Sequence, residues 1–374
     1  MPSAYPLADS NPAALALAAK PLFDLERLIA EHIAEGRYPG CQYAVARHGK
    51  LALFRSLGRA RTEPESVEVS DDTLFLMFSN TKVLTMAAVW SLVEEGKLSF
   101  MDPVAWHLPD FAQGGKEKIT LHQVATHQAG FPSANVSRES WEDHGRMRDE
   151  VCAFALEWEP GSRLHYHPRA AHLTMAMVME AVTGQDFRTV IRERVIAPLG
   201  LEDDLFVGVP ESEQHRCADS HSATGDEGHR DNSAAHRAAG LPHGGGYGTA
   251  RGMAAFYQMM LGQGRLGDVR LFSPRLIATV TRDATGDRPD GYMEGIPMRR
   301  GLGPHMRGTG ERVRGLGTIA SPRTFGHGGV GSSYCWADPE SGVSFAYLTN
   351  CVVPEPWHTL RMDRVSNLVH AAID

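Results

Sequence analysis

The sequence predicts an α+β protein: an antiparallel sheet built from both chain ends and flanked by helices, beside a mostly helical second domain. Three observations carry this. Strand-like segments sit near both termini, Gln42 to Ala46 and Leu51 to Phe54 at one end, Tyr334 to Ala337 and Val343 to Leu348 at the other. Helical spacing fills the middle. The length, 374 residues, suffices for two domains of roughly 100–200 residues each. The expected division is an N-terminal arm over 1–21, a sheet domain from 22–77 with 313–374, and a mostly helical domain with loops framing a site over 78–312.

Taken in order, residues 1–20 read as a loose arm. Leu22, Leu25, Leu28, Ile29 and Ile33 mark an amphipathic helix stopped by Gly36. The two N-terminal strands flank Arg47-His48-Gly49-Lys50, a hairpin turn. A β-leaning Thr73 to Met77 then runs into Phe78-Ser79-Asn80-Thr81-Lys82. Behind it the apolar residues from Val83 to Val93 suit a helix buried on most sides, ended by Gly96. Thr120 is a plausible N-cap for a second helical piece. Further helices are expected over Ala170 to Val182, Ala250 to Leu261 and Leu360 to Ala371. The polar, His-rich stretch from about Gly208 to Gly240 reads as a long excursion or lid, and 281–323 as a second Gly/Arg-rich stretch with little pattern. Asp338-Pro339-Glu340-Ser341-Gly342 is a turn between the last strands.

Bulk properties narrow the function classes. Hydrophobic content of 42% and charged content of 22% fit a soluble globular protein. A net charge of -8 argues against nucleic acid as a partner. The basic cluster Arg299, Arg300, Arg307, Arg312 and Arg314 is interleaved with glycine, which reads as a solvated loop. The 5 cysteines are odd in number and widely spaced, favouring free thiols and a reducing compartment. No secretory leader or membrane span is expected, so cytoplasmic is the default location. Self-association is left open.

The chemistry-bearing pattern is Ser79-x-x-Lys82 at a helix start. A hydroxyl is a poor nucleophile until a base takes its proton. A lysine amine can be that base only if its pKa falls. Burial and the positive end of the helix dipole both push it down. Positions three apart share a helix face. Alone, the four residues also fit a helix cap with a snorkelling lysine.

Further segments follow in order: Tyr166-His167-Pro168, Gly248-Thr249-Ala250-Arg251, and Gly326-His327-Gly328-Gly329-Val330-Gly331 before a strand. With Leu92 to Leu98, Leu121 to Gly130 and Ala337 to Gly342, this set resembles the serine β-lactamase-like family, and within it the class C β-lactamases and family VIII carboxylesterases. The resemblance runs from about residue 25 to the end. It implies a β-lactamase/penicillin-binding-protein-like fold, no cofactor and no metal.

The resemblance implies that Ser79 attacks the acyl carbon of a small-molecule ester while Lys82 shares its proton. Tyr166 would be the general base or proton relay, its phenol pKa pulled down from about 10 by neighbouring cations. The backbone N–H groups of Ser79 and Val330 would form an oxyanion hole, such donors being worth about 3–4 kcal/mol each. His327, Gly328, Gly329, Gln123 and His167 would contact substrate. Two positions depart from the β-lactamase pattern: Pro168 replaces an asparagine, and His327 replaces the lysine of Lys-Thr-Gly. Histidine is largely neutral at pH 7, so both changes favour an uncharged ester over a β-lactam.

The implied activity is a carboxylesterase-type hydrolysis through an acyl-enzyme. A β-lactamase or D-amino-acid peptidase, an acyltransferase of natural-product biosynthesis, and a non-catalytic binding protein on the same fold are its rivals. His165-Tyr166-His167 with His172 imitates a zinc site but lacks the Asp and downstream spacing of a metallo-hydrolase. His243-Gly244-Gly245-Gly246 imitates a lipase oxyanion motif, with no Gly-x-Ser-x-Gly to follow it. The Met175, Met177, Met179 run reads as core filling.

Overall fold

Strands whose side chains are buried on both faces set the architecture. The computed structural model describes residues 5–224, 231–310 and 315–374. Its main sheet draws on β1 (Ala8–Asp9), β2 (Gly40–Arg47) and β3 (Lys50–Arg61) near one end of the chain. A small sheet uses β4 (Phe75–Leu76), β5 (Leu205–Val207) and β6 (Gly246–Gly248). The main sheet is completed by β7 (His305–Met306), β8 (Phe325–Gly329), β9 (Ser333–Asp338) and β10 (Val343–Thr349). Its order is β1-β3-β2-β10-β9-β8-β7, with the short strand Val67–Glu68 also on β3. The central register joins the chain ends, Tyr43 opposite Tyr347 and Val45 opposite Phe345.

Alternation explains which helix goes where, because successive strand side chains point to opposite faces. Tyr43, Val45, Trp336, Phe345 and Tyr347 fill one apolar cluster with Leu25, Ile29, Val365 and Val369. Those last four come from α1 (Ala19–Ala34) and the terminal α6 (Trp357–Ala371). The other face carries the small residues Ala44, Ala46, Cys335 and Ala346. Their size lets α5 (Ala250–Leu261) lie close against the sheet. Gln258 on α5 donates to the Ala46 carbonyl and accepts the Gly49 N–H, anchoring helix to hairpin. In the helical part, α2 (Thr81–Glu94) and α3 (Leu121–Ala125) both pack on α4 (Ala170–Thr183), with α2 buried from Thr81 through Trp90.

The expected helices and hairpin are present, and several expectations need correction. The sheet is mixed, because β1 runs parallel to β3. The N-terminal arm is not loose: Leu7, Leu15 and Leu17 are buried, and Leu17 bridges to Ile373. Strand β7 and helix α5 come from within 78–312, yet one extends the sheet and the other covers it. The basic cluster is not a solvated loop. Arg299 pairs with Asp283 and Asp287, and Arg300 is buried against Asp290. Arg312 and Arg314, the 312/313 boundary, and part of the 208–240 excursion lie outside the described residues. Within that excursion, Ala234–Ala239 is helical and His221–Ser222 pairs with Cys351–Val352. The five cysteines are all buried, and no disulfide joins any two of them. Among the described residues no helix is long and apolar enough to cross a membrane.

Candidate active site

Ser79 stands at a strained corner between β4 and α2. Phe78, just before it, has φ +47°, the left-handed region a bulky L-residue rarely enters. A 3-10 turn over Phe78–Asn80 then feeds the helix. The corner is held by Asn80 Nδ2, which donates to Met77 O and Ser333 Oγ. Thr81 Oγ1 closes it by donating to the Phe78 carbonyl at 2.7 Å. The Gly244–Gly246 strip runs alongside. A Cβ on Gly246 would lie 2.8 Å from Thr81 Oγ1, and one on Gly245 would lie 2.3 Å from the Leu241 nitrogen. Only glycine fits that approach.

Lys82 is wholly buried. Its Nζ donates to Ser79 Oγ at 2.9 Å and to the His243 carbonyl at 2.5 Å. Burial first, then the Arg300 and Arg169 charges, push its pKa well below the usual lysine value. The low dielectric disfavours the ammonium and nearby cations repel it.

Tyr166 arrives from 87 positions away and donates its phenolic O–H to Ser79 Oγ at 3.1 Å. Its backbone is clamped on both sides. His165 N–H donates to the His127 carbonyl, and His167 N–H to His127 Nδ1. Tyr166 N–H donates to Asp290 Oδ1 at 3.1 Å. The ring carries Lys82 Nζ at 5.3 Å and the Arg300 guanidinium carbon at 4.7 Å from its centroid. The expected fall in the Tyr166 pKa is reversed. Burial drives it upward and outweighs the Ser79 hydrogen bond and the Arg300 charge. The group is a phenol at neutral pH.

The opposite wall is the end of β8. A Cβ on Gly329 would fall 2.7 Å from Met77 O, so this strand packs directly on the Ser79 corner. Ser79, Tyr166, His327, Gly328, Gly329 and Val330 line one cavity of about 1240 Å³. Val330 is partly open to solvent at 42%. His327 is buried, donates Nδ1–H to the Gly328 carbonyl, and stacks on His305 at 3.9 Å. Burial and Lys82 keep its pKa well below the ordinary histidine value.

Two expected substrate contacts are elsewhere. Gln123 forms the capping box of α3, its Oε1 accepting Thr120 N–H and its N–H bonding Thr120 Oγ1. His167 points away from the cavity, because strand-like alternation turns it opposite to Tyr166. Its Nδ1–H donates to the His165 carbonyl and its Nε2 accepts Phe131 N–H. The zinc-like set does not converge. Among the described residues, the one His/Cys/Asp/Glu group with metal-like closeness is His144, Glu180 and Asp186. That group is already occupied, His144 bonding Glu180 at 2.6 Å and Arg188 taking Asp186. The reading of the sequence missed His127, the His243 carbonyl, Asp290 and Arg300. Asp290 and Arg300 carry no local signal, whereas His127 lies in the Leu121 to Gly130 stretch and His243 opens a Gly-rich run, patterns that did not assign them this role.

A family model for Beta-lactamase matches residues 25–366. A putative D-alanyl-D-alanine carboxypeptidase of Escherichia coli K12 is 25% identical, over 92% of this chain and 86% of its own. The esterase/beta-lactamase LipL of Mycobacterium tuberculosis is 28% identical, over 75% of this chain and 70% of its own. The crystal structure of a family VIII carboxylesterase superposes with a TM-score of 0.82 at 26% identity, covering 95% of this chain and 98% of that one. A penicillin-binding protein homolog from Caulobacter crescentus gives 0.80 at 26% identity, with the same coverage. The chain thus belongs to the beta-lactamase family and has the fold of its serine hydrolases.

Proposed function

We propose that the protein is a carboxylesterase-type serine hydrolase that works through an acyl-enzyme on Ser79. One observation carries the reading: Lys82 and Tyr166 both reach Ser79 Oγ by hydrogen bonds in a cavity large enough for a substrate. Lys82, as a free amine, takes the Ser79 proton while Oγ forms a bond to the acyl carbon. The carbonyl oxygen gains charge and is met by the N–H groups of Ser79 and Val330. Collapse breaks the bond to the alcohol oxygen, and Tyr166 gives that oxygen its proton. The Lys82 ammonium then reprotonates the phenolate. Water repeats the sequence on the acyl-enzyme and releases the acid.

The direction of the two pKa shifts distributes the roles. A lysine with a lowered pKa is the base, and a tyrosine with a raised one is the acid. A small ester suits the wall better than a β-lactam. The buried His327 offers no fixed cation at the strand position that faces Ser79, where a β-lactamase carries lysine, and Pro168 offers no side-chain amide. The carboxylesterase among its relatives supports ester hydrolysis, and the esterase/beta-lactamase is compatible with either substrate. The carboxypeptidase relatives favour D-amino-acid peptides as the second reading.

The test is a panel of p-nitrophenyl esters, nitrocefin and D-alanyl peptides, with Ser79→Ala as control. Ester turnover that vanishes in the variant is expected. Ester turnover surviving in Ser79→Ala sinks the mechanism, and peptide turnover without ester turnover selects the second reading. Failure of a fluorophosphonate to label Ser79 would instead favour a binding protein on the same fold.

A further inference from the structure

We propose that Asp290 and Arg300 are a positioning pair for Tyr166, and that Arg300 supplies the fixed positive charge which the His327 position lacks. This rests on the reading of Ser79, Lys82 and Tyr166 as the reacting groups. Asp290 is fully buried and uses both oxygens: Oδ1 accepts the Tyr166 and Tyr292 N–H groups, at 3.1 and 3.0 Å, and Oδ2 takes Arg300 Nη2 at 2.7 Å. One carboxylate therefore fixes the Tyr166 backbone and the Arg300 side chain together. Arg300 in turn lies over the face of the Tyr166 ring. Its own backbone is held by Thr285 Oγ1, which accepts Arg300 N–H at 2.9 Å. The phenol is thus gripped by its backbone and by its ring.

Stability does not explain such a pair. Burying two charges costs about as much as their attraction returns, and apolar side chains of similar volume serve a core equally well. What the pair provides is a guanidinium held in place beside the reacting groups by a buried carboxylate. The groups facing Lys82 are Ser79 and Tyr166, His127, His172 on α4, His243, His327 on β8, Arg169 and Arg300. The four histidines are held neutral by burial. Of the remaining cations, Arg300 is buried and fixed by Asp290, whereas Arg169 is exposed.

The experiment follows the rate of Ser79 phosphonylation by a fluorophosphonate against pH, alongside steady-state turnover of a p-nitrophenyl ester. Arg300→Gln is expected to slow phosphonylation at least tenfold and to move the acid limb of the profile upward by about one pH unit, since losing a nearby cation raises the Lys82 pKa. KM should change less than threefold. Arg300→Lys should restore the position of the limb while recovering only part of the rate. If Arg300→Gln does not fold, Arg300→Gln with Asp290→Asn removes both charges and keeps an acceptor for Tyr166 N–H. This double variant should show the limb displaced in the same direction but by less, because removing the Asp290 anion offsets part of the lost cation's effect.

A wild-type limb in either neutral variant overturns the proposal. So does a rise in KM at unchanged kcat, which would make Arg300 a substrate anchor. The esterase reading fails separately, by absence of ester turnover in the wild type, while phosphonylation still reports on the pair.

Discussion

Lys82 Nζ and Tyr166 Oη converge on one oxygen, Ser79 Oγ, from 2.9 and 3.1 Å, while Lys82 also lies against the Tyr166 ring. Two donors on one hydroxyl cannot both be bases. Burial moves the two pKa values in opposite useful directions, down for the amine and up for the phenol. The residue whose charged form burial disfavours, and which can therefore serve as the base, is Lys82.

Lys82→Ala and Lys82→Arg are both expected to lose about 10³-fold in kcat on a p-nitrophenyl ester, within the usual range for a lost general base. The arginine keeps the charge but cannot deprotonate. Arg retaining more than a tenth of wild-type kcat would show that charge rather than basicity is needed.

Tyr166→Phe is expected to lower kcat about 10²-fold. Because the phenol pKa is raised above its usual value, the wild-type kcat profile should have no basic limb from this group below about pH 10. Its acid limb belongs to Lys82, whose activity rises as pH climbs through the lowered amine pKa. A stopped-flow pH series of acylation measures both limbs.

The buried histidines give stability its own pH dependence. His127, His172 and His327 have pKa values well below the ordinary one, and His167 is lowered to about 4, each mainly by burial. Above about pH 6.5 they are neutral folded or unfolded and contribute nothing to the slope. Below it the unfolded chain binds protons that the native state refuses, so stability falls with pH. Each contributes about 1.4 kcal/mol per pH unit, down to about pH 4 for His167. Urea unfolding at pH 7.0, 6.0 and 5.0 should show the midpoint dropping at each step, and a flat midpoint would contradict it.

Gly329→Ala tests the contact between β8 and the Ser79 corner. The added Cβ would meet Ser333 Oγ at 2.4 Å and the Met77 carbonyl at 2.7 Å, and the backbone atom cannot rotate away. A loss of about 1–3 kcal/mol is expected from overpacking, with a fall in kcat as Val330 N–H is displaced. Thermal melts and ester kinetics on the same sample check both.

Local chemistry was readable where residues close in sequence act together. Ser79 and Lys82 are three apart on one helical turn, and the helix over Ala250–Leu261 ends where its periodicity ends. Gln123 was misread for an instructive reason: Thr120-x-x-Gln123 is itself a capping signal, and capping occupies its side-chain oxygen and its backbone N–H. His167 was misread because adjacency to Tyr166 in an extended segment means the opposite face, not the same one. The segments 208–240 and 281–323 carry no period, so pattern could not fold them.

By itself the sequence determined the family, the two-ended sheet, and the pairing of a serine with a lysine, because these depend on spacing and alternation along the chain. The tertiary structure alone decided that Tyr166 stays protonated and that Asp290, 124 positions later, holds it in place. It also decided that Arg300 is buried beside the phenol instead of solvated. The reason is that desolvation and charge proximity are set by which distant segments exclude water from a site, and no local pattern encodes that.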